Sequence, residues 1–213
     1  MIDWWRHEAA AWARGATRVA GLDEAGRGPL AGPVVAACVV LPAGFALDGI
    51  NDSKKLSARQ RERAETRIRA EAVCLGLGIV GPDVIDAINI LQATRRAMRE
   101  AFLSLSPPPD CVPPDSVLPD CVLIDGLPVP DFPCAAQQAI VGGDGQSASV
   151  AAASILAKTA RDRMMCAFDA EYPEYGFAGH KGYGAARHLS ALRAHGPCPI
   201  HRLSFAPCRE ARR

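Results

Sequence analysis

The feature that most constrains this chain is a glycine-rich stretch near its start that joins two segments with the composition of β-strands. The stretch reads GLDEAGRGP over residues 21–29, and the apolar, β-branched residues 33–41 follow it. A run of that kind, bounded by prolines, predicts a buried strand. Asp23 and Glu24 therefore stand where one strand gives way to a turn that leads into the next. In a regular strand their side chains would point to opposite faces, so both serve one site only if the strand ends or bulges there.

The simplest alternative is a solvated acidic turn, because charged side chains are seldom buried unless they are paired or bound to a metal. Two features argue against this alternative. Gly26 and Gly28 allow another molecule to approach the backbone closely. Arg27, between them, places a fixed positive charge beside the two carboxylates. This combination favours a metal-bound ligand that carries phosphate.

Length and composition predict one sizeable domain, with a small appendage, in the cytoplasm. The 213 residues are 49% hydrophobic and include 17 prolines. No apolar run approaches the roughly 20 residues that span a bilayer, so no membrane contact is expected. Charges occupy the first residues, where a signal peptide has its apolar segment. The eight cysteines form no C-x-x-C pair, which favours reduced thiols over a disulfide framework or a zinc site.

The net charge of +1 conceals an asymmetry between the body of the chain and its last part. Residues 179–213 carry seven Lys or Arg residues and a single acid, whereas acids outnumber basic residues in the part that precedes them. A basic segment on a mildly acidic body favours contact with a polyanion. The alternative is a merely soluble tail.

Hydrophobic periodicity predicts strands and helices in alternation around these features. Further strands are predicted over residues 73–80, 121–124 and 139–141. Helices are predicted over residues 8–14, 57–72, 147–170 and 185–194, the second of them opened by a capping box at Ser57 and Gln60, with irregular chain after the last. Another long helix is predicted to start at residues 81–83, with a core-facing stripe of Ile85, Ile88, Leu91, Met98, Phe102 and Leu105. Residues 107–119 are predicted to be a proline-rich surface loop.

Carboxylates recur at the ends of the predicted strands. Asp125 and Asp144 each follow a strand and stand beside glycine. Because ligand sites in open α/β sheets lie outside the carboxyl ends of strands, we expect both to converge with Asp23 and Glu24. Four carboxylates in one place repel each other unless cations bind between them, and oxygen ligands select Mg²⁺ or Mn²⁺. The ligand set therefore predicts a two-metal site of the kind that cleaves phosphodiesters.

Asp162 competes with Asp144 for the fourth ligand position. We prefer Asp144 because it leads into a helix from a strand end, whereas Asp162 lies about four turns along that helix. Lys54, Lys55 and Lys181 are interpreted as contacts to substrate phosphate rather than as bases, since a lysine near an anion stays protonated.

The histidines near the C-terminus lack the short spacing of a metal site, so phosphate contact or a surface position is predicted for each. These are His180, His188, His195 and His201. Ser154 lies on the small-residue face of a predicted helix and is interpreted as a packing residue.

Six segments, in order along the chain, resemble the type II ribonuclease H family, ribonuclease HII. They are GLDEAGRGP at 21–29, NDSKKLS at 51–57, LIDG at 123–126, AAASILAK at 151–158, HKGYG at 180–184 and HRLSF at 201–205. The resemblance implies an α/β fold with a ribonuclease H-like mixed β-sheet flanked by helices and a small helical C-terminal part. We divide the chain into an N-terminal extension (1–16), a catalytic domain (17–178) and a basic, helical segment (179–213) that completes the substrate groove.

The same resemblance implies an endonuclease that uses Mg²⁺ or Mn²⁺, and we expect it to act as a monomer. Its expected substrates are the RNA strand of RNA–DNA hybrids and single ribonucleotides in duplex DNA, cut on their 5′ side. The expected processes are ribonucleotide excision repair and DNA replication. By position, the catalytic, metal-binding carboxylates are Asp23, Glu24, Asp125 and Asp144. The loop that reads the ribose 2′-hydroxyl corresponds to Gly26, Arg27 and Gly28, and Tyr183 corresponds to the tyrosine that stacks on the following deoxyribose.

Two alternatives stay open at this stage. One is a type III ribonuclease H, against which the GRG form of the loop argues. The other is a non-catalytic hybrid-binding protein, against which the four carboxylates argue, because a pure binder gains nothing from negative charge that faces phosphate.

Two residues depart from the pattern of the ribonuclease HII family. They are Gly142 and Ala185, where the family commonly has Lys and Thr.

Overall fold

A mixed β-sheet of five strands forms the centre of the computed structural model, which describes residues 3–108 and 118–211. The strands are β1 (Val19–Ala25), β2 (Val34–Val40), β3 (Cys74–Val80), β4 (Cys121–Asp125) and β5 (Ala136–Ile140). Their order in the sheet is β3-β2-β1-β4-β5. β2 pairs antiparallel with both β1 and β3, whereas β4 pairs parallel with both β1 and β5. The predicted mixed sheet is confirmed.

Helices cover both faces of this sheet, as predicted, with α3 on one face and α2 and α4 on the other. The helices of the described chain are α1 (Arg6–Ala13), α2 (Ala58–Glu71), α3 (Pro82–Leu103), α4 (Ala148–Glu171), α5 (Phe177–His180), α6 (Ala186–His195) and α7 (Ala206–Glu210). In β2 the side chains alternate between the faces, so Ala36 and Cys38 pack in the core under α3. Ala37 and Val39 pack in the core with α2 and α4. All seven residues of β2 are buried, which explains its continuous apolar sequence.

Local sequence signals set where several helices begin. The Ser57 hydroxyl accepts a hydrogen bond from the Gln60 amide at 3.3 Å, and the Gln60 side chain accepts one from the Ser57 amide at 2.8 Å. This is the predicted capping box of α2. At α4 the Ser147 hydroxyl alone forms the N-cap, accepting a hydrogen bond from the Val150 amide at 3.2 Å. The side chain of Glu8 reinforces that second cap, because it accepts hydrogen bonds from the Ser147 hydroxyl and the Ser149 amide.

The predicted apolar stripe of α3 is only partly correct. Met98 and Phe102 are buried as expected, but Ile88 and Leu91 are 36% and 43% exposed. The reason is Asn89, whose φ of 65° interrupts the helix. Its side chain then accepts a hydrogen bond from the Gln92 amide and caps the second segment. The interruption shifts the helical phase, so an apolar spacing counted through it no longer marks one face.

Other boundaries also differ from the sequence-based expectation. β5 begins at residue 136 rather than 139, and α5 and α7 were not predicted. The expectation of irregular chain after residue 194 is wrong for α7, which has a proline in its first turn. Most of the predicted proline-rich loop lies outside the described residues. The division at residues 16/17 and 178/179 stays a prediction. Within the described ranges, no helix is long and apolar enough to cross a membrane.

Candidate active site

The acidic residues of β1 and β4 are brought together by the register of these parallel strands. Leu22 pairs with Ile124, so the next residues along each strand, Asp23 and Asp125, lie side by side at the sheet edge. The ladder between the two strands stops there, while β1 continues beside β2 as far as Ala25. A cavity of about 230 Å³ occupies this edge. Its lining includes Asp23, Glu24, Gly26, Arg27, Gly28, Ser53, Lys54, Asp125, Ser154, Lys158, Arg161 and Tyr183.

Burial and mutual repulsion disfavour the charged form of the three carboxyl groups that line the cavity. Asp23 is only 4% exposed, and burial, followed by the charges of Glu24 and Asp125, raises its pKa well above the usual value. Burial also raises the pKa of Glu24, against the opposing effect of the Arg27 guanidinium 3.3 Å away. Burial raises the pKa of Asp125 as well, although the Gly143 amide donates to its carboxylate at 2.7 Å. Concentrated carboxylates of this kind attract cations.

Asp144 joins this group from a different element. It lies in a short 3₁₀ turn, Gly143–Gly145, that follows β5. The hydrogen bond from Gly143 to Asp125 ties the turn to the end of β4. Lys54 Nζ lies 3.1 Å from the Asp144 carboxylate. Burial alone would lower the pKa of Lys54, but the bond to Asp144 and the neighbouring carboxylates raise it.

The chemistry of the four candidate ligands suits a hard divalent cation. All four candidate ligands offer carboxylate oxygens, which Mg²⁺ and Mn²⁺ prefer. In the described part of the chain, no three carboxyl, imidazole or thiol groups are already arranged as a coordination sphere. The ammonium group of Lys54 instead balances the charge of Asp144. The residues present fit a metal site by ligand type, burial and mutual repulsion.

Asp162, the alternative fourth ligand, has different neighbours. Its carboxylate lies 2.7 Å from Lys158 Nζ and 3.5 Å from the Arg61 guanidinium. It lines a second cavity, together with Arg163 and Lys181. Two cations therefore already neutralise Asp162, and this placement favours Asp144 as the ligand.

The predicted recognition residues lie at the mouth of the acidic cavity. Gly26 has a φ of 97°, and a Cβ there would lie 2.0 Å from the Arg161 side chain, so no larger residue fits. A Cβ on Gly28 would lie 3.6 Å from the Tyr183 ring. Tyr183 is 48% exposed. The glycine loop and the tyrosine therefore face the same opening.

Two of the three predicted phosphate-binding lysines lie outside the acidic cavity. The Lys55 ammonium group is exposed and pairs with Asp52 at 3.7 Å. Lys181 Nζ donates to the Ala178 carbonyl and lies 3.4 Å from Cys166 Sγ. Of these three lysines, only Lys54 lines the acidic cavity, where it pairs with Asp144.

Sequence reasoning did not assign several polar residues to the site, among them Arg161, Arg202 and Ser154. Arg161 and Arg202 are almost fully buried, and each donates to several backbone carbonyls near residues 26–33. Ser154, interpreted as a packing residue, bonds the Ser53 hydroxyl at 2.9 Å and partly offsets the pKa rise of Asp23. Ser154 and Arg202 occur within the resembling segments, but nothing in their local sequence shows that they point toward the site.

The predicted surface position is wrong for His188 and His201, which are buried. The Cys198 amide donates to His201 Nδ1 at 3.0 Å, and the other ring nitrogen of His201 lies 3.0 Å from His188 Nε2. His188 Nδ1 then lies 2.8 Å from the Tyr183 carbonyl. As neutral imidazoles, both rings fit this series of hydrogen bonds, with His188 donating to the Tyr183 carbonyl. His195 is exposed, as expected.

We expect these histidines to make stability depend on pH. Burial, followed by the charge of His188, lowers the pKa of His201 from 6.5 to about 4. As the pH falls below 6.5, the unfolded state therefore binds a proton before the folded state does. The His201 contribution is complete above pH 6.5 and is lost progressively toward pH 4. Between pH 7 and pH 5 the loss should be on the order of 1–2 kcal/mol.

Chemical denaturation at several pH values measures this effect. His201→Gln should be less stable at pH 7 and should show a shallower loss of stability on acidification. His195→Gln, which changes an exposed ring, is the control and should follow the wild type. Equal pH slopes for wild type and His201→Gln would contradict the assignment.

The fold and the acidic cavity define a protein of the ribonuclease H-like class. The structure aligns with the crystal structure of the ribonuclease H2 from Pyrococcus horikoshii OT3 at a TM-score of 0.73 and 26% identity, over 92% of this chain and 97% of that one. A crystal structure of Bst ribonuclease HIII in complex with Mn²⁺ shares the fold, with a TM-score of 0.66 and 18% identity over 95% of this chain and 71% of that one.

Sequence comparison narrows this class. Residues 20–208 match the sequence model of the family described as ribonuclease HII. The chain is 52% identical to ribonuclease HII of Ruminiclostridium cellulolyticum over 93% of this chain and 73% of the relative. It is also 52% identical to that of Geobacter sulfurreducens, over 97% and 90%. The chain belongs to the ribonuclease HII family, and its activity is that of a ribonuclease H-type endonuclease. The predicted family is thus confirmed over the type III alternative.

Proposed function

We propose that this endonuclease cuts duplex DNA on the 5′ side of a single embedded ribonucleotide, in addition to the RNA strand of RNA–DNA hybrids. One observation carries the proposal: the glycine loop and Tyr183 face the same opening as the acidic cavity. A protein distinguishes RNA from DNA by the 2′-hydroxyl, which both donates and accepts hydrogen bonds. Backbone groups at Gly26 and Gly28 can approach that hydroxyl closely, because no side chain intrudes.

Tyr183 supplies the second half of this recognition. Its exposed ring offers a flat face to the sugar on the 3′ side of the ribonucleotide. A 2′-hydroxyl on that sugar would crowd the ring, so a deoxyribose fits better. Together the loop and the ring would select a ribose followed by a deoxyribose. A single ribonucleotide in DNA meets this requirement.

We further propose that Asp23, Glu24, Asp125 and Asp144 hold two divalent cations, Mg²⁺ or Mn²⁺. When bound, such ions activate a water molecule and stabilise the leaving oxygen. The carboxylates of the chain would fix the ions, and Arg27 would limit the repulsion between Glu24 and the substrate phosphate. Lys54 would move from Asp144 toward phosphate once a metal neutralises that carboxylate. The Mn²⁺ complex of the related-fold ribonuclease HIII supports this type of cofactor.

The remaining basic residues would extend the contact to the duplex backbone. Lys55 and Lys181, together with the basic residues of 179–213, would neutralise phosphates away from the cut. We propose a monomer that acts in the cytoplasm. The free thiols of Cys121, Cys134, Cys166, Cys198 and Cys208 are consistent with a reducing compartment.

Cleavage of three matched duplexes tests the proposal: all-DNA, one ribonucleotide in DNA, and a long RNA–DNA hybrid. We expect the wild type to leave the first intact and to cut the other two, placing the ribonucleotide at the 5′ end of the downstream fragment. Excess chelator should abolish cutting, and added Mg²⁺ or Mn²⁺ should restore it. Activity that persists in chelator would overturn the two-metal assignment.

The variant Tyr183→Ala provides the specificity arm of the same experiment. Without the ring, cutting at the single ribonucleotide should fall by about 10²-fold, since loss of substrate positioning has costs of that size. Binding of the duplex should change much less, because the phosphate contacts remain. A single-ribonucleotide duplex left intact by the wild type, while the hybrid is cut, would contradict junction recognition.

A further inference from the structure

We propose that Arg161 is a positioning residue that joins the two substrate-recognition loops into one unit and thereby sets the preference for a ribose–deoxyribose junction. The recognition loop is residues 26–33, and the tyrosine loop is residues 180–184. This inference rests on the proposed function and deepens it, because it names a residue behind the specificity. Arg161 itself lies on α4 and belongs to neither loop.

The guanidinium of Arg161 makes three hydrogen bonds, all to backbone carbonyls of the two loops. Nε donates to the Pro33 carbonyl at 2.9 Å, and Nη2 donates to the Ala31 carbonyl at 3.0 Å. Nη1 donates to the Lys181 carbonyl at 2.9 Å. One side chain thus bridges the loop that carries the glycines and the loop that carries the tyrosine.

The bridged segments have backbone conformations that need support. Lys181 has a φ of 52°, in the left-handed region that a residue with a side chain seldom adopts. The adjacent Gly182 has a φ of 83°, and a Cβ there would lie 2.6 Å from the Ala31 carbonyl oxygen. Leu30 donates from its amide to the Gly182 carbonyl at 2.8 Å. The loops are therefore in close backbone contact, and Arg161 lies directly behind that contact.

The role requires an arginine rather than any cation. Arg161 is 1% exposed, and its planar fork serves three carbonyls that point in fixed directions. A lysine keeps the charge but presents a single point donor on a flexible stem. A glutamine loses the charge and leaves buried carbonyls without partners, which is costly.

A second buried arginine shows by contrast what is special about Arg161. Arg202 donates to the carbonyls of Gly26, Arg27 and Gly32, all within the recognition loop. It therefore fixes that loop internally. Arg161 alone, of these two, also reaches the tyrosine loop and so sets the separation between the 2′-hydroxyl contact and the Tyr183 ring.

Arg161→Lys and Arg161→Gln, with Arg163→Gln as the matched control, test the proposal. Arg163 lies two residues further along the same helix, but its side chain is 59% exposed and pairs with Glu65. The first readout is the ratio of kcat/KM for the single-ribonucleotide duplex to kcat/KM for the long hybrid. Arg161→Lys should lower this ratio at least 10-fold, Arg161→Gln should lower it further, and Arg163→Gln should leave it unchanged.

Hydrogen exchange of the protein without substrate gives a second, independent readout. In Arg161→Lys the amides of Leu30 and Gly182 should exchange at least 10-fold faster, while amides of β1 and β2 keep wild-type protection. An unchanged ratio, or an equal loss on both substrates with unchanged exchange, would overturn the proposal. If the wild type fails to cut the single-ribonucleotide duplex, the proposed function fails, yet the exchange readout still decides whether Arg161 joins the loops.

Discussion

Replacing Asp23 or Asp125 with Asn is expected to reduce cleavage by about 10³-fold or more while the protein remains folded. Both side chains lie at the facing ends of β1 and β4 and line the acidic cavity. Loss of one charged ligand removes several kcal/mol of metal-dependent stabilisation, and each 1.36 kcal/mol is tenfold in rate. The amide keeps the shape of the carboxylate, so the strand pairing is unaffected.

The same substitutions should preserve or raise thermal stability in the absence of metal. Asp23 is buried beside Glu24 and Asp125, and their charges act against its own. An asparagine relieves this repulsion and still accepts the hydrogen bond from the Glu24 amide, which spans 2.7 Å to the carboxylate. Activity would therefore fall while the melting temperature stays the same or rises.

Asp144→Asn and Asp162→Asn form the matched pair for this experiment. We expect the first to be as inactive as Asp23→Asn, because Asp144 lies next to Asp125 across the Gly143 hydrogen bond. The second should keep activity within about 5-fold, since Asp162 is neutralised by Lys158 and Arg61 in the neighbouring cavity. Full activity in Asp144→Asn with none in Asp162→Asn would show that the fourth ligand is misassigned.

Gly21→Ala is expected to destabilise the fold by about 3 kcal/mol, which is near the upper end for overpacking a core. A Cβ on Gly21 would lie 2.0 Å from the backbone carbon of Ser149, in the first turn of α4. Backbone atoms on both sides leave no flexible side chain to yield, so α4 must move away from β1. A loss of this size corresponds to roughly 10 °C in melting temperature for a protein of this length.

Thermal and chemical denaturation measure the Gly21→Ala effect, and cleavage should fall as well, since α4 also carries Ser154 beside Asp23. Gly179→Ala is the control: apart from its chain neighbours and the backbone of its own helix, no atom lies within 4 Å of the added methyl group, and the residue is helical. That variant should retain wild-type stability within about 0.5 kcal/mol. A Gly21→Ala protein as stable as the wild type would show that β1 and α4 pack less closely than described.

Many of the secondary-structure elements of this protein can be predicted from local sequence. The apolar run of β2, the capping box of α2 and the glycines between Asp23 and the next strand are short-range signals, and each specified the element that forms. The candidate ligands could also be predicted from the sequence, because a carboxylate beside glycine at the end of a strand is a local pattern. Parallel strand ends meet at one edge of a sheet, so the sequence predicts that Asp23 and Asp125 lie close together.

The predictions that proved wrong concern features that depend on the phase of a helix or on contacts between distant residues. Asn89 interrupts α3 and turns Ile88 and Leu91 toward solvent, although the apolar spacing runs on through it. His188 and His201 lie 13 residues apart and read as surface residues, but they hydrogen-bond to each other in the core. Periodicity describes a single helix and carries no information about which segment covers a polar residue.

Tertiary structure alone decided how the recognition loops are held. Arg161 lies 130 residues from Ala31, and Arg202 lies 176 residues from Gly26, yet each donates to a carbonyl there. Sequence supplied the glycines, the tyrosine and the carboxylates, because their chemistry is a property of the residue and its neighbours. The fold supplied the distances between them, because a buried guanidinium reaches its backbone carbonyls only after α4 and the C-terminal segment have packed against the end of the sheet.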